Sequence, residues 1–265
     1  MVVVLGVTGA GKSTICNSMA GHQPDGDFFP SSASPSVCTY KTVGKPANWL
    51  GDHGKPFTLC DTPGLGDPSG KDSENILDMV ETLKEVKYVN AFIIVFNGQN
   101  PRFDKDLKDM LLLFQNIFGK GFLKNAIIEF SRWGFDKRSV KMRTRNNISE
   151  QEQAQLWNQK FHQEIGTTES MPVVFVDALY DQEDDQEVTV FRNQTDYLWK
   201  TINKMKPYEC KDFQAILTEN DQLKKDIAEA KEIQRQAGLF ILNVNFELSK
   251  VIFFNLRWII LSRLE

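Results

Sequence analysis

"GVTGAGKST", Gly6–Thr14, is the stretch whose reading decides the fold. It has the form Gly-x-x-x-x-Gly-Lys-Ser, the spacing of a phosphate-binding loop. Such a loop needs a strand that ends, a turn that curls and a helix that begins. "VVVL" (Val2–Leu5) before it is apolar and β-branched, as a buried parallel strand is. Gly6, Gly9 and Gly11 allow backbone turns that side chains obstruct, so the N–H groups from Thr8 through Gly9, Ala10 and Gly11 to Thr14 can converge on phosphate oxygens. Lys12 is the candidate for the β- and γ-phosphates, and the Ser13 hydroxyl for Mg²⁺. "KSTICNSMAG" reads as a helix whose positive end faces the anion. The competing reading is a chance glycine-rich turn, which the strand before and the helix after disfavour.

Working outward, "PFTLCDTPGLGD" (Pro56–Asp67) carries an apolar strand that runs into Asp61-Thr62-Pro63-Gly64. An Asp at that strand end can hold the water shell of a magnesium ion. A Gly three residues on can offer its N–H to a γ-phosphate. Together with the phosphate loop, this predicts a GTPase-type switch driven by γ-phosphate contacts. The bland alternative is a strand-to-helix turn. Leu65 stands where many small GTPases have a water-orienting Gln, so intrinsic hydrolysis of GTP to GDP and phosphate should be slow. Residues 21–55 are polar and rich in Ser, Pro and Gly, as a first switch loop with a weak edge strand would be. Ser36, Thr39 and Thr42 offer hydroxyls there for Mg²⁺, and Thr39 is favoured. The metal set is then Ser13, Thr39 and Asp61, and the groups expected to act on the phosphates in hydrolysis are Lys12, Thr39 and Gly64.

The remaining pattern alternates. Apolar runs at Ala91–Phe96, Asn125–Ser131 and Pro172–Asp177 read as strands. Amphipathic segments at Ser73–Val86, Asp104–Gly119, Ser149–Gly166 and Val190–Met205 read as helices. That alternation predicts an α/β, three-layer phosphate-loop NTPase fold, a mostly parallel sheet with helices on both faces. Trp157, Phe161 and Trp199 read as packing residues, and His162 as a surface histidine rather than a metal ligand. With 31 Lys and Arg against 35 Asp and Glu, a net charge of −4, nothing calls for a nucleic-acid surface. Four cysteines without a Cys-x-x-Cys pair suit a reducing, cytoplasmic compartment. No signal peptide is visible, and Met1 leading straight into a strand leaves room for a longer natural chain.

"GVTGAGKST.CNSM.G", "SVC", "DTPGLGD" and "AFIIVF…RFDKDLKDMLLLFQNIFG" together resemble the GTPases of immunity-associated proteins, the avirulence-induced-gene (AIG) type. Arg102-Phe103, an acidic helix and Phe118-Gly119 form the most telling stretch. Septins and chloroplast import-receptor GTPases are the neighbouring families. The resemblance covers roughly residues 1–205. It implies a G domain binding GTP and GDP with Mg²⁺, slow hydrolysis, and nucleotide-dependent self-association as a homodimer or oligomer across the nucleotide face. It also implies roles near intracellular membranes or in cell survival and immunity-associated defence. The family's base-reading motif, Thr-Arg-x-Asp/Glu, falls on "SRWGFD": Ser131 replaces Thr, Arg132 matches, and Gly134 takes the acidic place. Asp136 could substitute on guanine, with Trp133 or Phe135 stacking on the base; the plain alternative is a loop capped by a helix start. In the last loop, "FVDALY", Ala178 and Leu179 offer no side-chain hydrogen bond.

These readings divide the chain into a G domain, 1–206, and a helical extension, 207–265. Phe213–Gln236 has helical spacing suited to a short helix or the start of a coiled coil. Leu239–Leu261 is apolar but interrupted by Glu247, Lys250 and Arg257, which disfavours a spanning helix. Peripheral membrane contact, docking on protein, or a truncated tail all fit it. Two rivals to a slow switch stand: a non-hydrolysing nucleotide-bound scaffold, which Leu65 favours, and a phosphate-loop ATPase, which Gly134 leaves open.

Overall fold

The structure, a computed structural model, describes residues 1–31, 39, 41–65, 72–99, 101–210, 232 and 235. The chain divides into two compact units, Met1–Ile216 and Leu217–Glu265. The expected coiled coil and apolar tail lie outside the described residues, apart from Glu232 and Arg235, which form an ion pair.

A six-stranded sheet has the order β2-β3-β1-β5-β6-β7. Its strands are β1 (Val2–Gly6), β2 (Val43–Asn48), β3 (Pro56–Asp61), β5 (Ala91–Asn97), β6 (Ala126–Ser131) and β7 (Val173–Val176). All neighbours are parallel except β2, which runs antiparallel to β3 at the edge. Pro46 within β2 suits an edge, where a missing N–H costs least. Strands β1 and β5 are buried along nearly their whole length, which is why both read as unbroken apolar runs.

On one face, Val2, Val4, Ile93, Val95, Ile127 and Val174 pack in one core with residues of α1 (Lys12–Met19) and α6 (Asp185–Lys204). On the other, Phe92 meets Phe118 of α3 (Lys105–Phe118) and Phe122. Trp157 of α5 (Glu150–Lys160) meets Phe96 and Phe130. Phe103, from the diagnostic stretch, closes on Trp157 and Phe161, so this part of the family signature is an aromatic clamp holding the β5–α3 loop to α5. Trp199 packs on Trp49 and Phe57, while His162 is exposed and lies within hydrogen-bond distance of the Glu169 carbonyl. Among the described residues no His, Cys, Asp and Glu group forms a metal cluster.

Helix ends follow their chemistry. Asp104 caps α3, Ser149 and Glu152 form a capping box on α5, and Asp184 caps α6, so α6 begins five residues before the expected Val190. Helix α5 stops at Lys160 and continues as a π turn, Phe161–Ile165, where one helix to Gly166 was expected. Helix α2 (Asp72–Lys84) covers most of the segment expected from Ser73. Helix α4 (Lys137–Arg145) follows Asp136, where a helix start was the plain alternative. One piece was not anticipated, an antiparallel pair, β4 (Tyr88–Val89) with β8 (Tyr208–Glu209).

Candidate functional site

The phosphate loop joins β1 to α1, with Gly9 at φ 77° and Gly11 at φ 102°, both in the left-handed region. Lys12 is buried, 6% exposed, and its Nζ donates to the Val7 carbonyl at 3.0 Å. Desolvation lowers its pKa, and the Asp61 carboxylate opposes that shift. The Thr8 and Ala10 N–H groups donate to the Leu65 and Val7 carbonyls, and a buried ammonium held by one carbonyl beside the remaining N–H groups at the start of α1 is a receptor for an anion.

Three oxygen-bearing side chains from separate segments meet beside it. Ser13 Oγ donates to Asp61 Oδ2 at 2.6 Å, lies 3.0 Å from Thr39 Oγ1, and Thr39 Oγ1 donates to the same Oδ2 at 3.4 Å. Asp61 is 1% exposed, and burial raises its pKa against the bonds from Ser13 and Thr39 and the charge of Lys12. Two hydroxyls and a carboxylate are hard oxygen donors, so the set fits Mg²⁺. Bound there, the ion would neutralise phosphate charge. Thr42 is buried elsewhere, its N–H held by Asp78, and its hydroxyl has no partner; Ser36 lies outside the described residues.

Gly64 lies directly on the phosphate loop: a Cβ there would stand 2.5 Å from the Thr8 nitrogen, so no side chain fits. Thr8 donates to the Leu65 carbonyl at 2.9 Å, and Leu65 forms a parallel bridge with Val7. Leu65 is itself 5% exposed, a packing residue at the place of a water-orienting one.

The base-reading segment departs from expectation in form. Ser131 Oγ donates to the Ala10 carbonyl at 2.5 Å, tying the end of β6 to the phosphate loop. Beyond it opens a cleft of about 780 Å³, lined among others by Gly98, Arg132, Gly134, Arg143, Asp177 and Leu179. Trp133 is turned inward, 3% exposed, against Phe130 and Phe175, with the Arg143 guanidinium 4.6 Å from its ring. It is therefore not open to a base in this conformation. Asp136 is the N-cap of α4: its Oδ1 accepts from the Arg138 and Ser139 N–H groups at 2.9 and 3.0 Å. Bonds from Ser139 hold its carboxyl below the usual range. The helix-cap alternative thus describes what Asp136 does here. The glycine at 134 has a physical reason too: a Cβ would stand 2.9 Å from Asp136 Oδ2 and 3.0 Å from Ser139 Oγ.

Asp177, at the end of β7, went unread in the sequence because it looked like the last residue of a strand. It lines the cleft, Oδ1 accepts from the Leu179 N–H at 3.0 Å, and burial raises its pKa while Arg132 and Arg143 pull it down. Ser131 and Arg143 were likewise not assigned these roles.

A buried lysine on a glycine-turned loop, hydroxyls and a carboxylate converging beside it, and a mostly parallel six-stranded sheet define a phosphate-loop fold of the GTPase type. The sequence pattern of the AIG1 family matches residues 1–138, and the chain belongs to that family. No curated protein sequence matches it. Among solved structures it is similar to Toc33 from Arabidopsis thaliana in complex with GDP and Mg²⁺, with TM-score 0.53 and 18% identity, covering 79% of this chain and 87% of that one. A dimerization-deficient Toc33 mutant gives TM-score 0.53 and 18% identity over 78% and 85%. A structure concerned with dimerization and GTPase activity of atToc33 and psToc159 gives 0.53 and 15% over 77% and 83%. At these identities the likeness is one of fold.

Proposed function

We propose that the chain is a guanine-nucleotide-binding protein that takes GTP or GDP with Mg²⁺ and acts as a slow switch. The convergence of Ser13, Thr39 and Asp61 beside Lys12 carries this reading. The phosphates would rest on Lys12 and on the N–H groups of Gly9 and of Gly11–Thr14, Thr8 and Ala10 being held by the Leu65 and Val7 carbonyls, and Gly64 would sense the γ-phosphate. Toc33 binding GDP with Mg²⁺ on the same fold supports it. The packed Leu65 supports slow turnover, and it equally supports the second reading, a nucleotide-bound scaffold that does not hydrolyse. Self-association across the nucleotide face is part of the proposal, as is an immunity-associated role. So are a boundary after residue 206, with β8 at the junction, a coiled coil, and peripheral membrane contact through 239–261. No helix among the described residues is long and apolar enough to cross a membrane.

Titration with labelled GTP, GDP and ATP, with and without Mg²⁺, tests the reading. Guanine nucleotides should bind, ATP should not, and removing Mg²⁺ should weaken GTP more than GDP. Equal binding of ATP, or binding of none, would overturn it. Turnover that rises with protein concentration marks a dimer-activated enzyme; flat, near-zero turnover marks the scaffold.

With Asp136 engaged on its helix, Asp177 is the carboxylate we assign to the guanine N1–H and N2–H groups. Charge-assisted bonds of this kind contribute about 1.5–3 kcal/mol. Asp177→Asn is therefore expected to weaken GDP about tenfold. Xanthosine diphosphate should gain, because its C2 carbonyl can accept from the new amide. Fluorescence competition between the two nucleotides measures this, and an unchanged preference removes Asp177 from the site.

A further inference from the structure

Guanine presents two edges of opposite polarity. N1–H and N2–H donate, while O6 and N7 accept. The proposed carboxylate serves the first edge only. The same cleft is lined by Arg143 of α4, nine residues along from Gly134. Its Nη1 donates to the Gly134 carbonyl at 2.7 Å, and its guanidinium lies 4.6 Å from the Trp133 ring and 5.6 Å from Phe135. These contacts fix a planar group that is otherwise mobile on its stem. They use one of its five N–H donors. The side chain is half-buried, and among the described residues no carboxylate lies within ion-pair distance of it; Glu150, Asp136 and Asp177 act on its charge from further away. A desolvated guanidinium with open donors, locked in plane and facing a cleft, is built to receive two adjacent acceptors.

We propose that Arg143 reads the O6/N7 edge of guanine, opposite Asp177, so that α4 supplies half of the base recognition the family motif concentrates in a single loop. This rests on the guanine reading above. The chemistry selects guanine over adenine. Adenine would point its N6 amino group at the guanidinium, donor against donor, and present its bare N1 to the carboxylate, acceptor against acceptor. It also accounts for Trp133: buried and capped by Arg143, it serves as the platform for the reader instead of stacking on the base itself.

The test uses GDP and 7-deaza-GDP, which lacks the N7 acceptor, on the native chain and on Arg143→Ala. A bidentate arginine–guanine pair discriminates by about 1–3 kcal/mol, so the native chain should bind 7-deaza-GDP roughly tenfold more weakly than GDP. Arg143→Ala should lose about tenfold for GDP and show no further loss, within about twofold, for 7-deaza-GDP. If Arg143 only held the Gly134 loop, the variant would weaken both nucleotides while keeping the gap between them, and the proposal would fall. Equal binding of the two by the native chain also overturns it, with no variant needed and with guanine binding left intact. A native chain that binds no GDP removes the guanine reading itself.

Discussion

Lys12→Ala is expected to cost at least about 100-fold in affinity for both GDP and GTP, while the nucleotide-free fold keeps its thermal midpoint. The asymmetry comes from where the ammonium sits. In the free chain Lys12 is 6% exposed, its ammonium donates to the Val7 carbonyl, and burial already lowers its pKa. Asp61 offsets part of that desolvation. Removing the charge therefore relieves about as much as it forfeits in the empty protein. With a phosphate present the balance changes. An ammonium held in a low-dielectric turn makes charge-assisted bonds of about 1.5–3 kcal/mol each, and two phosphate oxygens bring the loss to about 3 kcal/mol or more. Calorimetric titration of the variant with Mg-GDP and Mg-GTP reads the first half, and a thermal melt without nucleotide reads the second. Native-like affinity would mean that the glycine-turned loop holds no phosphate.

The parts of this site that could be read from the sequence share one property: their chemistry is fixed by local spacing. Lys12 and Ser13 follow the loop that presents them, and Asp61 ends the strand beside it, so a few neighbouring residues suffice to place each. The strands were legible for a related reason. Buried parallel strands such as Ala91–Asn97 admit no polar interruption, and that leaves an apolar run. The illegible parts depend on what the chain brings together at long range. Asp136 and Asp177 are both acids after apolar strands, and only the fold shows that one is spent on the α4 N-terminus while the other stands half-buried in the cleft. Trp133 stands beside the base-reading position in the sequence, yet Phe130, Phe175 and Arg143 enclose its ring in the fold. The β4–β8 pair joins two-residue segments about 120 positions apart, too short to leave a period of two in either. Helix α4 has no buried residue and hence no apolar stripe to mark its extent.

Glu129 is the residue that neither the sequence pattern nor the proposed function explains, and it carries the second large expectation. It sits inside β6, between Val95 and Val174 in register, and is fully buried. Neither carboxyl oxygen has a hydrogen-bond partner. Burial raises its pKa well above the ordinary carboxylate value, and the charge of Asp177 raises it further. Its folded pKa therefore exceeds its unfolded one. The sign follows: folding takes up a proton, the contribution is fully present below the ordinary Glu range, and it is lost as pH rises towards the folded value. Stability should thus decline from mildly acidic to alkaline pH through this one group. Glu129→Leu removes two unsatisfied oxygens at similar volume. Leaving such groups buried costs about 1–3 kcal/mol, so the variant should gain about 2 kcal/mol, or roughly 4–8 °C in thermal midpoint for a domain of this size. Its stability should also lose this alkaline slope. Glu129→Gln separates the two effects: it keeps an unsatisfied polar group but cannot ionise, so it should flatten the slope with little gain at acidic pH. Urea unfolding of all three chains at pH 6 and pH 9 decides the matter. A Leu variant less stable than the native chain at both pH values would show that the carboxyl earns its place in the strand.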